Sequence, residues 1–89
     1  MGVILTGTLT CAGADAEIVR AALPEHIRLS RAEPGCIRFD VTEGAPGVFH
    51  VSEEFTDHAA FEAHQTRTRA SAWWDATQHI PRDFQISDG

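Results

Sequence analysis

The chain has 89 residues and contains no lysine, no asparagine and no tyrosine; it has two cysteines and no long apolar run. Each scarcity excludes something. All seven basic residues are arginines, none of them clustered, against 13 acidic residues and a net charge of −6. Binding nucleic acid requires a basic stripe that neutralises phosphates, so no nucleic-acid partner is expected. No apolar stretch approaches the roughly 18 residues of a membrane span. The opening MGVILTGTLT lacks the basic start and long apolar core of a secretory signal, so no membrane partner is expected either. Cys11 and Cys36 have no metal-ligand spacing. They read as reduced, packed thiols of a cytoplasmic protein.

What remains is ordinary for a globular domain: 43% hydrophobic and 22% charged residues. The length fits one domain spanning residues 1–89. A chain this short buries only roughly 60–65% of its unfolded surface, so a second subunit would add substantially to its core.

The stretch from Val48 to His64, VFHVSEEFTDHAAFEAH, organises the rest. Its first half alternates as a half-buried strand does, with Phe49, Val51, Glu53 and Phe55 on one face and His50, Ser52 and Glu54 on the other. Thr56 and Asp57 then supply N-cap side chains, and the period becomes helical through Ala60, Phe61 and His64. Glu53 is the anomaly. A carboxyl group on the apolar face must find a partner or shift its pKa.

Around that stretch the chain alternates again over residues 3–11, with Val3, Leu5 and Leu9 inward. A helix follows over residues 15–32, capped by Asp15, with an apolar stripe of Val19, Leu23 and Ile27 and with His26 and Ser30 on the same side. Pro24 predicts a kink or restart inside it. Glu33-Pro34-Gly35 ends the helix. A strand over 36–43 places Ile37, Phe39 and Val41 inward and Cys36, Arg38, Asp40 and Thr42 outward. Gly44-Ala45-Pro46-Gly47 closes a hairpin. A break is expected over 65–68, then a helix over 69–79 and a last strand over 83–87 with Phe84 and Ile86 inward. The order β-α-β-β-α-(α)-β predicts an α+β, ferredoxin-like split β-α-β domain, an antiparallel sheet with helices on one face.

Two segments carry a resemblance: HIRLSRAEPGCIRFDV at 26–41 and EEFTDHAAFEAH at 53–64. They resemble the antibiotic biosynthesis monooxygenase (ABM) family, which includes small quinol and anthrone oxygenases. The resemblance implies a homodimeric α/β barrel whose two sheets pack face to face, with Arg38, Asp40 and Glu54 pairing across the interface. It also implies a monooxygenase that needs no cofactor. A phenol or anthrone is deprotonated, and its anion passes an electron to dioxygen. Polyketide-type members surround an aromatic substrate with Asn, Trp, Tyr and Arg. Here only Trp73 or Trp74 and Arg67 or Arg69 match those types.

Such chemistry requires a dry aromatic pocket and a base with a pKa near neutral. Glu53 and His64 are the candidate catalytic pair, His64 turning inward where it could reach Glu53; the alternative for each is a satisfied structural residue. His26, Phe39, Phe49, Phe55, Trp73 and Arg69 are the candidate substrate-binding residues. Trp73 and Trp74, adjacent on a helix, are not expected to face inward together. Glu53, His64 and His26 have the composition of a two-His, one-carboxylate iron triad, but no tight spacing supports a metal, and none is expected. Haem degradation is a weaker match because the first strand lacks the Asn that haem-degrading relatives use there. A non-catalytic dimer that binds a small aromatic or stabilises a partner is the remaining alternative, and a roomy cavity between sheet and helices separates the two.

Overall fold

A computed structural model describes residues 2–88. The elements are β1 (Val3–Thr10), α1 (Gly13–Arg31), β2 (Cys36–Glu43), β3 (Val48–Phe55), α2 (His58–Arg69), α3 (Ala72–Thr77) and β4 (Arg82–Asp88). The strands form one antiparallel sheet in the order β2-β3-β1-β4, with the helices on one face, the ferredoxin-like arrangement. Among the described residues, no helix is long and apolar enough to cross a membrane.

The two central strands follow their hydrophobic period. Val3, Leu5 and Leu9 of β1 and Phe49, Val51 and Phe55 of β3 are buried on the helix-covered face. They build two clusters, one closed by Phe61 of α2, the other by Val19 of α1 and Ile80. Burying each such side chain contributes about 1.5–3 kcal/mol, so this face accounts for most of the hydrophobic stabilisation.

The outer strands depart from the expected alternation. Cys36 is paired with Phe55 and Arg38 with Glu54, which leaves Ile37 as the extra residue of a β-bulge. The bulge shifts the phase of the strand by one residue. Cys36 therefore packs against the core, and Ile37, expected inward, is 57% exposed. Ile86 shares a face with its cross-strand partner Leu5, but on the outermost strand it stays 56% exposed. On the outer face Arg38 donates to Glu54 at 2.8 Å and to Ser52 at 3.0 Å, while Arg31 donates to Asp40 at 3.1 Å. These pairs are closed within one chain.

The helices correct three expectations. α1 begins two residues before Asp15, with Ala12 at the N-cap and no side-chain cap bond. Asp15 instead lies in the first turn, 3.0 Å from His79 Nε2. Pro24 neither ends nor restarts the helix, which runs on from Gly13 to Arg31 with buried residues on both sides of it (Val19 before, His26 and Ser30 after). The break expected over 65–68 is absent. That segment contains no Gly or Pro, and Thr68 continues the buried stripe of Phe61 and His64. α2 runs on to Arg69, and α3 starts late because Ser71 caps it, accepting from the Trp74 amide at 3.3 Å. Asp57, as expected, caps α2 through the Ala60 amide at 2.8 Å.

Glycine is required at the hairpin and at the turn into β2. Gly47 closes the β2–β3 hairpin at φ 84°, a region that L side chains rarely adopt. Gly35 lets the start of β2 approach α2 so closely that a Cβ there would lie 2.2 Å from Ala60 Cβ. Gly35→Ala should therefore destabilise the fold by about 1–3 kcal/mol. Pairing it with Ala60→Gly should recover part of that loss in denaturant melts. Strictly additive losses would show that this overlap is not the cause.

Candidate active site

All three helices and the inner sheet face line a cavity of about 190 Å³. Its walls are largely apolar and aromatic, with Phe39 and Phe49 on the sheet and Trp73 and Trp74 on α3. Into it project Glu53 of β3, His26 of α1 and His64 of α2.

Glu53 is 6% exposed. Burial, and then the charge of Glu33, pushes its pKa up to about 8, so at neutral pH the carboxyl group carries its proton. Among the described residues its Oε1 has no hydrogen-bond partner. Oε1 lies 3.6 Å from His64 Nε2, adjacent but longer than the direct hydrogen bond expected between them. The direct partner of His64 is Glu33. His64 Nδ1 lies 2.9 Å and 3.2 Å from its two oxygens, while Nε2 lies 3.4 Å from Thr68 Oγ1. Burial lowers the His64 pKa more than the neighbouring Glu33 raises it.

His26 stacks on Trp73 with ring centroids 4.5 Å apart and planes 1° from parallel, and meets Phe39 edge-on at 5.3 Å. Burial, then the nearby charges of His64, Arg67 and Arg82, holds its pKa down to about 3. The ring is neutral across the physiological range, and its buried Nδ1 is unpartnered. Two residues of the cavity wall thus carry unsatisfied buried polar atoms, Glu53 Oε1 and His26 Nδ1. Buried polar atoms without partners cost free energy unless something bonds them.

The remaining candidates divide. Phe39, Phe49, Trp73 and Arg69 border the cavity. Phe55 does not; it is fully buried behind His64, with rings 4.9 Å apart, and packs on Phe61 at 5.7 Å. Both tryptophans reach the cavity, contrary to expectation, because the short α3 caps it. Trp74 lies under the Arg82 guanidinium at 5.1 Å. Arg67 is committed elsewhere, donating to Glu33 and, at 2.9 Å, to Ser30 Oγ. Glu53, His64 and His26 do not form a metal centre: among the described residues no group of three or more His, Cys, Asp or Glu is arranged to hold an ion.

Sequence reasoning missed Glu33, Gln65, Thr68 and Arg82. Gln65 and Thr68 fell in the supposed helix break, and Glu33 was spent on ending α1. The available signal for Glu33 was the spacing of His64 and Arg67, which puts two donors for one carboxylate on one helix face. Arg82 is held by Thr77 O and Thr77 Oγ1, each at 2.8 Å.

The family model for antibiotic biosynthesis monooxygenases matches residues 2–76. Among solved structures, a protein from Deinococcus radiodurans described as a candidate antibiotic biosynthesis monooxygenase is 25% identical with a TM-score of 0.85, over 98% of this chain and 91% of its own. PA3566 from Pseudomonas aeruginosa is 29% identical with a TM-score of 0.74, over 99% and 95%. Rv0793 from Mycobacterium tuberculosis is 21% identical with a TM-score of 0.80, over 100% and 95%. No curated protein matches the chain.

The buried carboxyl group makes stability depend on pH in a definite direction. A folded pKa of about 8 against an unfolded value of 4.5 gives stability that is full below 4.5 and is lost as pH rises through 8. His26, depressed from 6.5 to about 3, acts oppositely, but only below 6.5. Between pH 6.5 and 8, Glu53 therefore dominates. The protein should lose about 1–2 kcal/mol across that window, and Glu53→Gln should flatten the slope in urea melts. An unchanged slope in the variant would contradict a buried, protonated Glu53.

Proposed function

The chain belongs to the antibiotic biosynthesis monooxygenase family, and we propose that it oxidises a small electron-rich aromatic of the quinol or anthrone type with dioxygen, without a cofactor. One observation carries this reading: a protonated carboxyl group with an unbonded oxygen, set beside His64 Nε2 in the wall of an aromatic cavity. A ring held between Phe39, Phe49 and Trp73 presents its hydroxyl to that pair, and Arg69 lies at the cavity wall as a second anchor for a substrate oxygen. The pair takes up the substrate proton, and the resulting anion donates an electron to dioxygen. One oxygen atom enters the ring and the other leaves as water, so a quinol plus O₂ gives a hydroxyquinone plus H₂O with no outside reductant. Excluding water protects the radical pair while it recombines.

A purely structural role explains less. A domain that binds nothing has no use for a carboxyl group that is desolvated and left unbonded, at a cost of about 1–3 kcal/mol.

The functional unit in this proposal is a homodimer joined through the polar outer sheet face, which removes from water surface that a domain of this size leaves exposed. The free thiols of Cys11 and Cys36 suit a reducing, cytoplasmic setting.

Oxygen uptake by metal-free protein against a panel of hydroquinones and anthrones tests the activity. Glu53→Ala and His64→Ala should each lower kcat by roughly 10²–10⁴-fold, and chelator should change nothing. Normal turnover in both variants would make these residues structural, and loss of activity on chelation would hand the chemistry to a metal. Sedimentation at micromolar concentration should find a dimer; a stable folded monomer would refute that assembly.

A further inference from the structure

Glu33 takes no part in the cavity. It borders a separate surface groove together with Pro34, Gly35, Ala60 and Arg67. Yet it is the only residue described here that bonds Nδ1 of His64. Arg67 Nε donates to its Oε2, and the same guanidinium is tied to Ser30 Oγ, a residue with no solvent exposure at the end of α1. The chain Ser30–Arg67–Glu33–His64 thus joins the last turn of α1, the turn into β2 and the middle of α2.

We propose that Glu33 is a positioning residue that holds His64 in the Nδ1–H tautomer, making His64 Nε2 the proton acceptor and Glu53 the hydrogen-bond donor in the cavity. The assignment of these two roles rests on the oxygenase function proposed above; the tautomer does not.

The argument is one of hydrogen-bond capacity. A carboxylate only accepts, and Glu33 faces two donors, Arg67 Nε–H and the His64 ring. A neutral imidazole has one N–H. Placing it on Nε2 would set the Nδ1 lone pair 2.9 Å from a carboxylate oxygen. Placing it on Nδ1 makes a charge-assisted bond and leaves Nε2 with a bare lone pair facing Glu53 Oε1 and Thr68 Oγ1. Burial keeps the ring neutral.

The groups facing His64 complete the picture. Glu33 comes from the turn, Glu53 from β3 and Arg67 from its own helix. His26 of α1 lies with its ring 6.0 Å away. Phe39 and Phe55 occupy the remaining sides at 5.4 Å and 4.9 Å. In the proton-transfer step the substrate O–H bond breaks and an Nε2–H bond forms. The imidazolium is stabilised by Glu33, and the protonated Glu53 donates to the new phenolate oxygen. No electron moves in this step.

The test is ¹⁵N NMR of the whole protein labelled at histidine, with His64 assigned by comparison with His64→Gln. The wild type should show a protonated Nδ1 and a bare Nε2. Glu33→Gln should mix or invert the tautomers and lower kcat by about 10²-fold with little change in KM, and Glu33→Asp should restore much of both. A wild-type spectrum with the proton on Nε2 overturns the proposal, as does a Glu33→Gln spectrum unchanged from wild type. If Glu33→Gln does not fold, the wild-type spectrum still decides. If the wild type oxidises none of the phenols, the oxygenase function falls and the spectrum alone settles the tautomer.

Discussion

The structure depends on one costly placement, the carboxyl group of Glu53 on the apolar face of β3. Its cross-strand neighbours are Leu5 and Phe39, and burial keeps it protonated. An ionised carboxylate there would need a partner within hydrogen-bond reach of each oxygen, and Oε1 has none. The free energy withheld by this one group is a large fraction of the 5–15 kcal/mol that usually separates folded from unfolded states. The surrounding architecture makes that placement sustainable. Phe39, Phe49, Phe55 and Val3 are sealed on the same face, and two helices carry imidazoles up to it.

Those imidazoles are tuned differently by the same physical cause. Both are depressed by burial, but His64 has Glu33 against Nδ1, whereas His26 has only a stacked indole and a phenyl edge. His26 is therefore fixed as a neutral ring, suited to bonding a ligand rather than to exchanging protons. His64 keeps a partner that can stabilise its charged form. Neighbouring titratable groups whose environments separate their proton affinities are the usual architecture of acid–base chemistry.

Much of this was legible in the sequence because it depends on local period. The alternation of residues 48–55 placed Glu53 inward, and helical spacing placed His26 and His64 inward. What was not legible lies in contacts between distant segments or in small phase changes. The bulge at Ile37 exchanges the faces of Cys36 and Ile37 without any composition signal. The uninterrupted run of α2 to Arg69 follows from packing of Thr68 and not from propensity, and it brings Gln65 and Thr68 to the cavity. Glu33 reads as a helix terminator until α2, 31 residues further on, delivers His64 to it. Phe55 looked like a wall of the site and is instead core, packed against His64 and Phe61.

The central claim, that Glu53 is an acid held neutral at working pH, is open to direct spectroscopy. Infrared difference spectra of Glu53→Gln against the wild type should contain a buried protonated-carboxyl band at neutral pH that converts to carboxylate with a midpoint near 8. A spectrum with no such band, or a carboxylate already ionised below pH 4.5, would contradict the account.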